Sequence, residues 1–265
     1  MKLLTLNCHS WQEMHQIEKI KYLAKVIVEN QYDVVALQEV SQNIDSDLLF
    51  DNIRIDNYAV ILINEIKEIS GYSYNLVWDF SHIGYDKYEE GLAILSRHDI
   101  LEKESFYITK NKGIDFWKSR KIVKAVIEID DKPIDFYSCH LGWWNDCDES
   151  FERQVNKLYE KVKNGNELSF LMGDFNNNAL IRNEGYDFIK SKGLLDTYEI
   201  SKKKDSGITV KEKIAGWDDN TEDLRIDMIL TNKKIDVLES KVIFNDVNKD
   251  VISDHFGVEI LIENI

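Results

Sequence analysis

Leu168-Ser-Phe-Leu-Met-Gly-Asp-Phe-Asn-Asn177 is the stretch on which the reading of the chain turns. Its apolar run, Phe170 to Met172, is the signature of a buried strand. The run stops at Gly173, and Asp174 and Asn176 follow with one residue between them. Alternate residues of an extended chain point the same way, so a carboxylate and a carboxamide leave the strand end side by side. A buried carboxylate is costly unless it is paired or bound to a cation. The end of this strand is therefore a candidate reaction centre, and its partners must come from elsewhere in the chain.

Working outward, Ile122 to Ile129 alternates, Asp130-Asp131-Lys132 forms a turn and Ile134 to Cys139 runs back, a hairpin that ends in His140. Asp148 to Lys163 carries Phe151, Val155, Leu158 and Val162 on one helical face. After the central stretch come a short helix, Tyr186 to Ser191, closed by Gly193, and a long polar loop, Ser201 to Asn220. Leu224 to Leu230 reads as a strand interrupted by Asp227, and Val237 to Phe244 as another. Asp254-His255 leads into a last strand in which Phe256, Val258, Ile260 and Ile262 alternate.

At the other end, Leu3 to Leu6 is a strand ending in Asn7. Ile17, Ile20, Leu23, Ala24, Ile27 and Val28 recur at helical spacing, and the strand Val34 to Leu37 ends in Gln38-Glu39. A right-handed crossover makes the two strands near-parallel neighbours, with Asn7 and Glu39 at one edge. Between them and the hairpin lie a polar loop (Asp45 to Asn57), a helix (Ala59 to Ile69) and a strand (Tyr72 to Phe80). A polar loop from Ser81 to Glu90, strands Gly91 to Ser96 and Phe106 to Ile108, and a loop from Asn111 to Ser119 complete the pass. Two sets of strands with helices interspersed predict two packed sheets in an α/β protein.

The 265 residues are 43% hydrophobic and 31% charged, an ordinary globular balance, and one proline with 12 glycines offers no linker. A single domain over 1–265 is expected. Three cysteines at Cys8, Cys139 and Cys147 have no metal-type spacing and point to a reducing, cytoplasmic setting. The amino-terminal run is too short for a signal peptide, and no apolar stretch is long enough to span a membrane. A net charge of −15 disfavours a nucleic-acid partner, with Lys202-Lys-Lys204 the one compact basic cluster. Oligomeric state is not legible.

Asn7, Glu39, His140, Asp174 with Asn176, and Asp254 with His255 all end or begin an apolar strand. Any one of them alone reads as a turn former or a satisfied structural residue. Together they form a chemistry. Glu39 and Asp254, with Asn7 and Asp174 nearby, make an oxygen-only set suited to Mg²⁺ or Mn²⁺. His255 has the makings of a general base or of an imidazolium facing a phosphate, with Asp227 holding its tautomer. Asp174 is placed to orient or deprotonate an attacking water, and Asn176 and His140 to donate to a developing pentavalent phosphate. No Ser or Cys stands in a nucleophile-elbow context, which favours direct attack by water.

Leu-Asn7, Leu-Gln-Glu39, Cys-His140-Leu, Gly-Asp174-Phe-Asn176, Arg-Ile-Asp227 and Ser-Asp254-His255, in this order, resemble the endonuclease/exonuclease/phosphatase superfamily along the whole chain. The resemblance implies a deoxyribonuclease-like four-layer α/β/β/α sandwich of two mixed sheets flanked by helices. It also implies Mg²⁺-dependent phosphoester hydrolysis. On it, Asn7, Glu39 and Asp254 serve the metal, while His140, Asn176 and His255 surround the phosphate. Asp227 buttresses His255, and Asp174 activates water. Glu90, ahead of Gly-Leu-Ala-Ile-Leu, resembles the acidic support of the middle histidine, and Arg120 resembles a phosphate-contacting arginine.

Fold alone does not choose the phosphoester. Trp11, Tyr72, His82, Tyr85, Trp117, Trp143, Trp144 and Trp217 crowd loops expected to rim the site, with Asn145, Asp146, Asp218 and Asp219 for hydroxyls. Flat rings suit sugar faces. The absence of an apolar membrane-binding hairpin argues against a sphingomyelinase. The segments His140-Leu-Gly-Trp-Trp-Asn-Asp146, Gly-Trp217-Asp-Asp, Ser253-Asp-His-Phe-Gly257 and Leu-Asn7-Cys-His-Ser-Trp11 resemble the firmicute maltose 6'-phosphate phosphatases. The expectation is a sugar-phosphate phosphatase with Trp143, Trp144, Trp217, Arg120 and Glu90 as substrate-binding residues. A nuclease or other phosphodiesterase is the alternative enzyme, and a binding module that has lost catalysis is the alternative from another class.

Overall fold

The computed structural model describes residues 1–211 and 213–263; Glu212, inside the segment read as a polar loop, lies outside the described residues, as do 264 and 265. The first strands are β1 (Lys2–Asn7), β2 (Val34–Asn43), β3 (Leu48–Phe50), β4 (Ile53–Arg54), β5 (Asn75–Gly84), β6 (Tyr88–Ser96) and β7 (Ile100–Tyr107). They are followed by β8 (Lys121–Ile129), β9 (Lys132–His140), β10 (Ser169–Asp174), β11 (Leu195–Asp196), β12 (Lys203–Lys204), β13 (Asp227–Thr231), β14 (Val237–Ile243) and β15 (Gly257–Ile262). The helices are α1 (Gln16–Asn30), α2 (Tyr58–Ser70), α3 (Phe151–Lys163), α4 (Gly185–Ser191) and α5 (Thr197–Ile200).

A seven-stranded sheet runs β12-β14-β15-β1-β2-β6-β5, and a six-stranded sheet runs β11-β13-β10-β9-β8-β7. Each contains one central parallel pair, β1 with β2 and β9 with β10, so both sheets are mixed. Alternation along β10 assigns its faces: Phe170 and Met172 join the core between the sheets, and Leu171 joins the core under α3 and α4. Leu3 and Leu4 divide in the same way, Leu3 toward the other sheet and Leu4 toward α1 and α2. The result is four layers, α/β/β/α, each inner side chain of Leu or Phe size contributing about 1.5–3 kcal/mol by leaving water.

Helix ends follow local chemistry. The Asn57 side chain accepts from Ala59 N and Val60 N to start α2, and Gly71 ends it at φ 78°. Ser150 caps α3 by accepting from Arg153 N. Between the sheets, Thr5 Oγ1 donates to Gln38 Oε1 (3.2 Å) and Gln38 Nε2 donates to Ser138 Oγ (3.1 Å). This buried polar bridge fixes the sheets against each other one step below the strand ends that carry Asn7 and His140.

Several segments differ from their sequence reading: the strand expected over Phe106 to Ile108 is β7, over Ile100–Tyr107, and the polar loop from Ser201 holds β12. The strand expected to stop at Leu37 continues to Asn43, with a bulge between Leu37 and Val40 and Glu39 at φ 53°. Ser81 to Glu90 is no loop: β5 and β6 extend into it and pair His82 with Glu90, the alternation being hidden because both faces there are polar or aromatic. The strand expected from Leu224 starts at Asp227, and Leu224 instead bridges to Val210. Asp45 to Asn57 holds the β3–β4 hairpin, whose Leu48, Leu49 and Phe50 are exposed, so an apolar hairpin does exist. Among the described residues no helix is long and apolar enough to cross a membrane.

Candidate active site

The parallel pairing of β1 with β2 sets Asn7 opposite Gln38, and that of β10 with β9 sets Asp174 opposite His140. Antiparallel β13 sets Asp227 opposite Asp174. Gly173, at φ 152°, is required by close approach: a Cβ there would collide with the Cys139 carbonyl oxygen. Ser253 Oγ donates to Asn7 O (2.7 Å) and draws the Asp254-His255 turn onto the end of β1.

Side chains from both sheets thereby meet. Asn7 Nδ2 donates to Glu39 Oε1 (2.8 Å) and to Asp174 Oδ2 (3.3 Å). His255 Nδ1 donates to Asp227 Oδ2 (3.0 Å), and its Nε2 stands 3.9 Å from Asp174 Oδ2. His140 Nε2 lies 3.7 Å from the same oxygen. Asp174 Oδ1 accepts from Asn176 N (2.8 Å). Asn7, Asp174, Asp227, His140, His255 and Asn176 are all buried. Glu39 and Asn176 have left-handed backbones, at φ 53° and 49°, which is local strain at the turns that aim their side chains.

The electrostatics separate the titratable groups. Burial, joined by repulsion from Asp227, pushes the Asp174 carboxyl up to about 7. Burial opposes a charge on His255, but Asp227 and Asp174 outweigh it and hold the imidazolium well above the usual histidine range. Burial and the nearby Arg120 drive His140 well below that range, so it is neutral. Burial and the charge of Glu39 push Glu90 up to about 8. Near neutral pH the centre thus presents a proton acceptor, Asp174, beside a charged donor, His255, and a neutral His140.

A cavity of about 310 Å³ opens above this floor. Glu39, His140, Asp174, Asn176, Asp254 and His255 line its base. Its walls include His82, Tyr85 and Glu90 from the β5–β6 hairpin, together with Trp117, Trp143 and the segment Ile214 to Gly216. Arg120 is buried in the wall; it donates from Nη1 to Trp117 O (3.1 Å) and lies 5.8 Å from the Trp143 ring centroid. Its Nε and the Trp143 Nε1 are buried donors with no hydrogen-bond partner among the described residues. Buried donors of this kind call for an acceptor, and an oxyanion is one.

Divalent-cation ligands are present in the donor set. Carboxylates from Glu39, Asp254, Glu90 and Asp174 line the cavity, and besides burial the charge of Glu39 pushes Glu90 and Asp174 upward, a repulsion that a cation would relieve. Their oxygens suit Mg²⁺ or Mn²⁺. The residues therefore fit such an ion. Among the described residues the tightest ligand clusters are Asp174 with Asp227 and His255, and His9 with Glu13 and Asp254; Glu39 belongs to neither.

Some expected roles move. Trp144 does not line the cavity: its ring packs against Phe151 (6.0 Å) and Phe188 (5.9 Å), because β9 has ended and the chain turns Trp144 toward α3. Trp217 is not a wall residue either; its Nε1 donates to Asn176 Oδ1 (3.0 Å). Glu90 faces His82, at 3.5 Å, rather than His140. Trp11 is held by packing on Tyr58 and by donation to Ser41 O. Asp146, read as a hydroxyl partner, is bound to Lys118 (3.0 Å). Sequence reasoning missed His9, whose left-handed backbone (φ 41°) turns its ring toward Asp254 (3.6 Å), and the Ile214–Gly216 wall. The proximity of His9 to Asn7 was the available signal.

The profile described as the Endonuclease/Exonuclease/phosphatase family matches residues 17–255. An endonuclease/exonuclease/phosphatase family protein from Leptotrichia buccalis shares 44% identity over the full length of both chains, with a TM-score of 0.93. A mannosyl-6-phosphatase from Bacteroides thetaiotaomicron is similar in fold at 20% identity over all of both chains, with a TM-score of 0.73. TDP2 of D. rerio, in complex with single strand DNA product, superposes with a TM-score of 0.68 at 15% identity, covering 100% of this chain and 99% of that one. No curated protein matches the chain significantly.

Proposed function

Because the chain belongs to the endonuclease/exonuclease/phosphatase family, whose members are hydrolases of phosphoric esters, we propose that it is a single-domain, divalent-metal-dependent phosphatase acting on the phosphomonoester of a sugar phosphate. Maltose 6'-phosphate is the substrate that the segment resemblance names. Mg²⁺ is the favoured ion, with Mn²⁺ a substitute. The three cysteines are free thiols, consistent with work in the cytoplasm.

The observation that carries the reading is the meeting of Glu39, Asp174 and His255 at the floor of one cavity, with Asn7 and Asp227 hydrogen-bonded to them and with aromatic rings and two unpartnered buried donors in the wall. A bound cation, held by Asn7, Glu39 and Asp254, would supply charge neutralisation for the phosphate oxygens. Asp174 takes the proton of an attacking water. The His255 imidazolium, kept in orientation by Asp227, donates to the phosphate or to the departing alcohol. His140, neutral, and Asn176 donate to the non-bridging oxygens, joined by Arg120 from the wall. Trp117, Trp143 and Tyr85 offer flat apolar faces to a sugar ring. A sugar-phosphatase name on a structural neighbour agrees with this substrate class.

The test is inorganic phosphate release from a panel of sugar phosphates, nucleotides and inositol phosphates, with Mg²⁺ or Mn²⁺ and with EDTA. Release from sugar phosphates, maltose 6'-phosphate foremost, abolished by EDTA, is expected. Nicking of plasmid DNA without release from any sugar phosphate would replace this reading with a nuclease.

A further inference from the structure

Trp217 directly follows the wall segment Ile214 to Gly216, yet its own hydrogen bond is to Asn176 of the floor. We propose that Trp217 is a positioning residue: its indole N–H fixes which end of the Asn176 amide faces the cavity. The inference rests on the cavity being the phosphoester site.

An asparagine amide has one accepting oxygen and two donating N–H groups. In Asn176, Nδ2 donates one of these to Leu141 O (2.9 Å) and Oδ1 accepts from Trp217 Nε1 (3.0 Å). An indole nitrogen only donates and a backbone carbonyl only accepts. Turning the amide over would set N–H against N–H and oxygen against oxygen, losing both bonds at once. The orientation is therefore determined, and the second N–H of Nδ2 is the donor left for a ligand. Asn176 is only 4% exposed and borders the cavity, so that donor is left for whatever occupies the cavity. Leu141, one residue past β9, is tied to the end of β10 by the bond from its N–H to Asp174 O (3.0 Å), whereas Trp217 belongs to a loop. The loop is in turn pressed on the wall: Gly216, at φ 81°, lies so close to the Trp143 indole that a Cβ would overlap the ring. The segment that touches the sugar-facing wall thus also sets the amide at the reacting phosphate.

An N–H aimed at developing charge acts more in the transition state than in the ground state. Losing its orientation should therefore lower kcat more than it raises KM. With p-nitrophenyl phosphate and Mg²⁺, Trp217→Phe keeps the ring and removes the donor; kcat should fall about tenfold, the scale of one hydrogen bond, with KM changed less than about twofold. In an Asn176→Ala background the same change should alter kcat less than about twofold, because the group it positions is gone. Equal losses in both backgrounds would overturn the proposal and leave Trp217 as loop packing. A second measurement does not depend on turnover: one of the indole N–H signals in the ¹⁵N spectrum should be slow to exchange and should shift in Asn176→Ala. If none moves, the contact is absent and the proposal fails, whether or not Trp217→Phe folds. A wild-type protein inert toward every phosphoester, but with the shifted indole signal, would fail the proposed function while leaving the amide lock standing.

Discussion

The floor and the wall of the cavity are built in different ways. The floor is set largely by strands: His140 ends β9, Asp174 ends β10 and Glu39 stands at the β2 bulge, while Asn7 of β1 and Asp227 of β13 hold Glu39, Asp174 and His255 by hydrogen bonds, with the Thr5–Gln38–Ser138 bridge joining the sheets. The wall is made largely of loops, with Trp117, Trp143 and Ile214 to Gly216 held by packing on one another. Chemistry that needs tight tolerance sits where the backbone is over-determined, and substrate shape is read where loops vary at low cost to stability.

The largest effect that would break this contrast is on the floor. Asp174→Asn removes the proposed proton acceptor while keeping the shape, and phosphate release should drop about 10²–10⁴-fold with little change in melting temperature. Retained activity in that variant would displace Asp174 from the role of base. Trp143 and Trp144 sharpen the comparison because they are adjacent in sequence and separate in space. Trp144→Ala should destabilise by about 2 kcal/mol in a urea titration and leave KM unchanged, since its ring packs against Phe151 and Phe188. Trp117→Ala, on the exposed wall, should raise KM for a sugar phosphate about tenfold and spare p-nitrophenyl phosphate. A change of equal size for both substrates would mean that the wall does not read the sugar.

The smallest effect concerns pH without metal. The carboxyls of Glu90 and Asp174 are raised on folding, to about 8 and about 7, so the stability they confer is present below their unfolded values near 4.5 and 3.8 and is lost as pH rises through the folded ones. The EDTA-treated protein should therefore melt a few degrees lower at pH 8 than at pH 5.5. Mg²⁺ should restore more stability at pH 8, and Glu90→Gln should flatten the slope. A flat profile in the wild-type protein would show that folding does not raise these carboxyls.

The parts of the molecule that were legible from sequence share a physical cause. The apolar runs of β1, β2, β9 and β10 are short, buried on both faces and closed by polar residues, and strands of that kind announce both their type and their ends. The β5–β6 hairpin was hidden because it rises past the core, where Tyr85, His82 and Glu90 face a cavity instead of an apolar partner. The bulge at Glu39 was hidden because it changes backbone dihedrals without changing composition. His9 was passed over, although it stands two residues from Asn7, because only its backbone turn brings it to Asp254.

By itself the sequence determined the two-sheet architecture, its helical covering and the set of polar side chains available at the strand ends, since periodicity and burial are local properties of a chain. Tertiary structure alone decided which of those side chains touch, which of the adjacent rings at Trp143 and Trp144 faces the cavity, and that Trp217 reaches Asn176 instead of lining the cavity. Contacts between residues far apart in the chain depend on sheet register and on the path of loops, and neither is written in the pattern of any single segment.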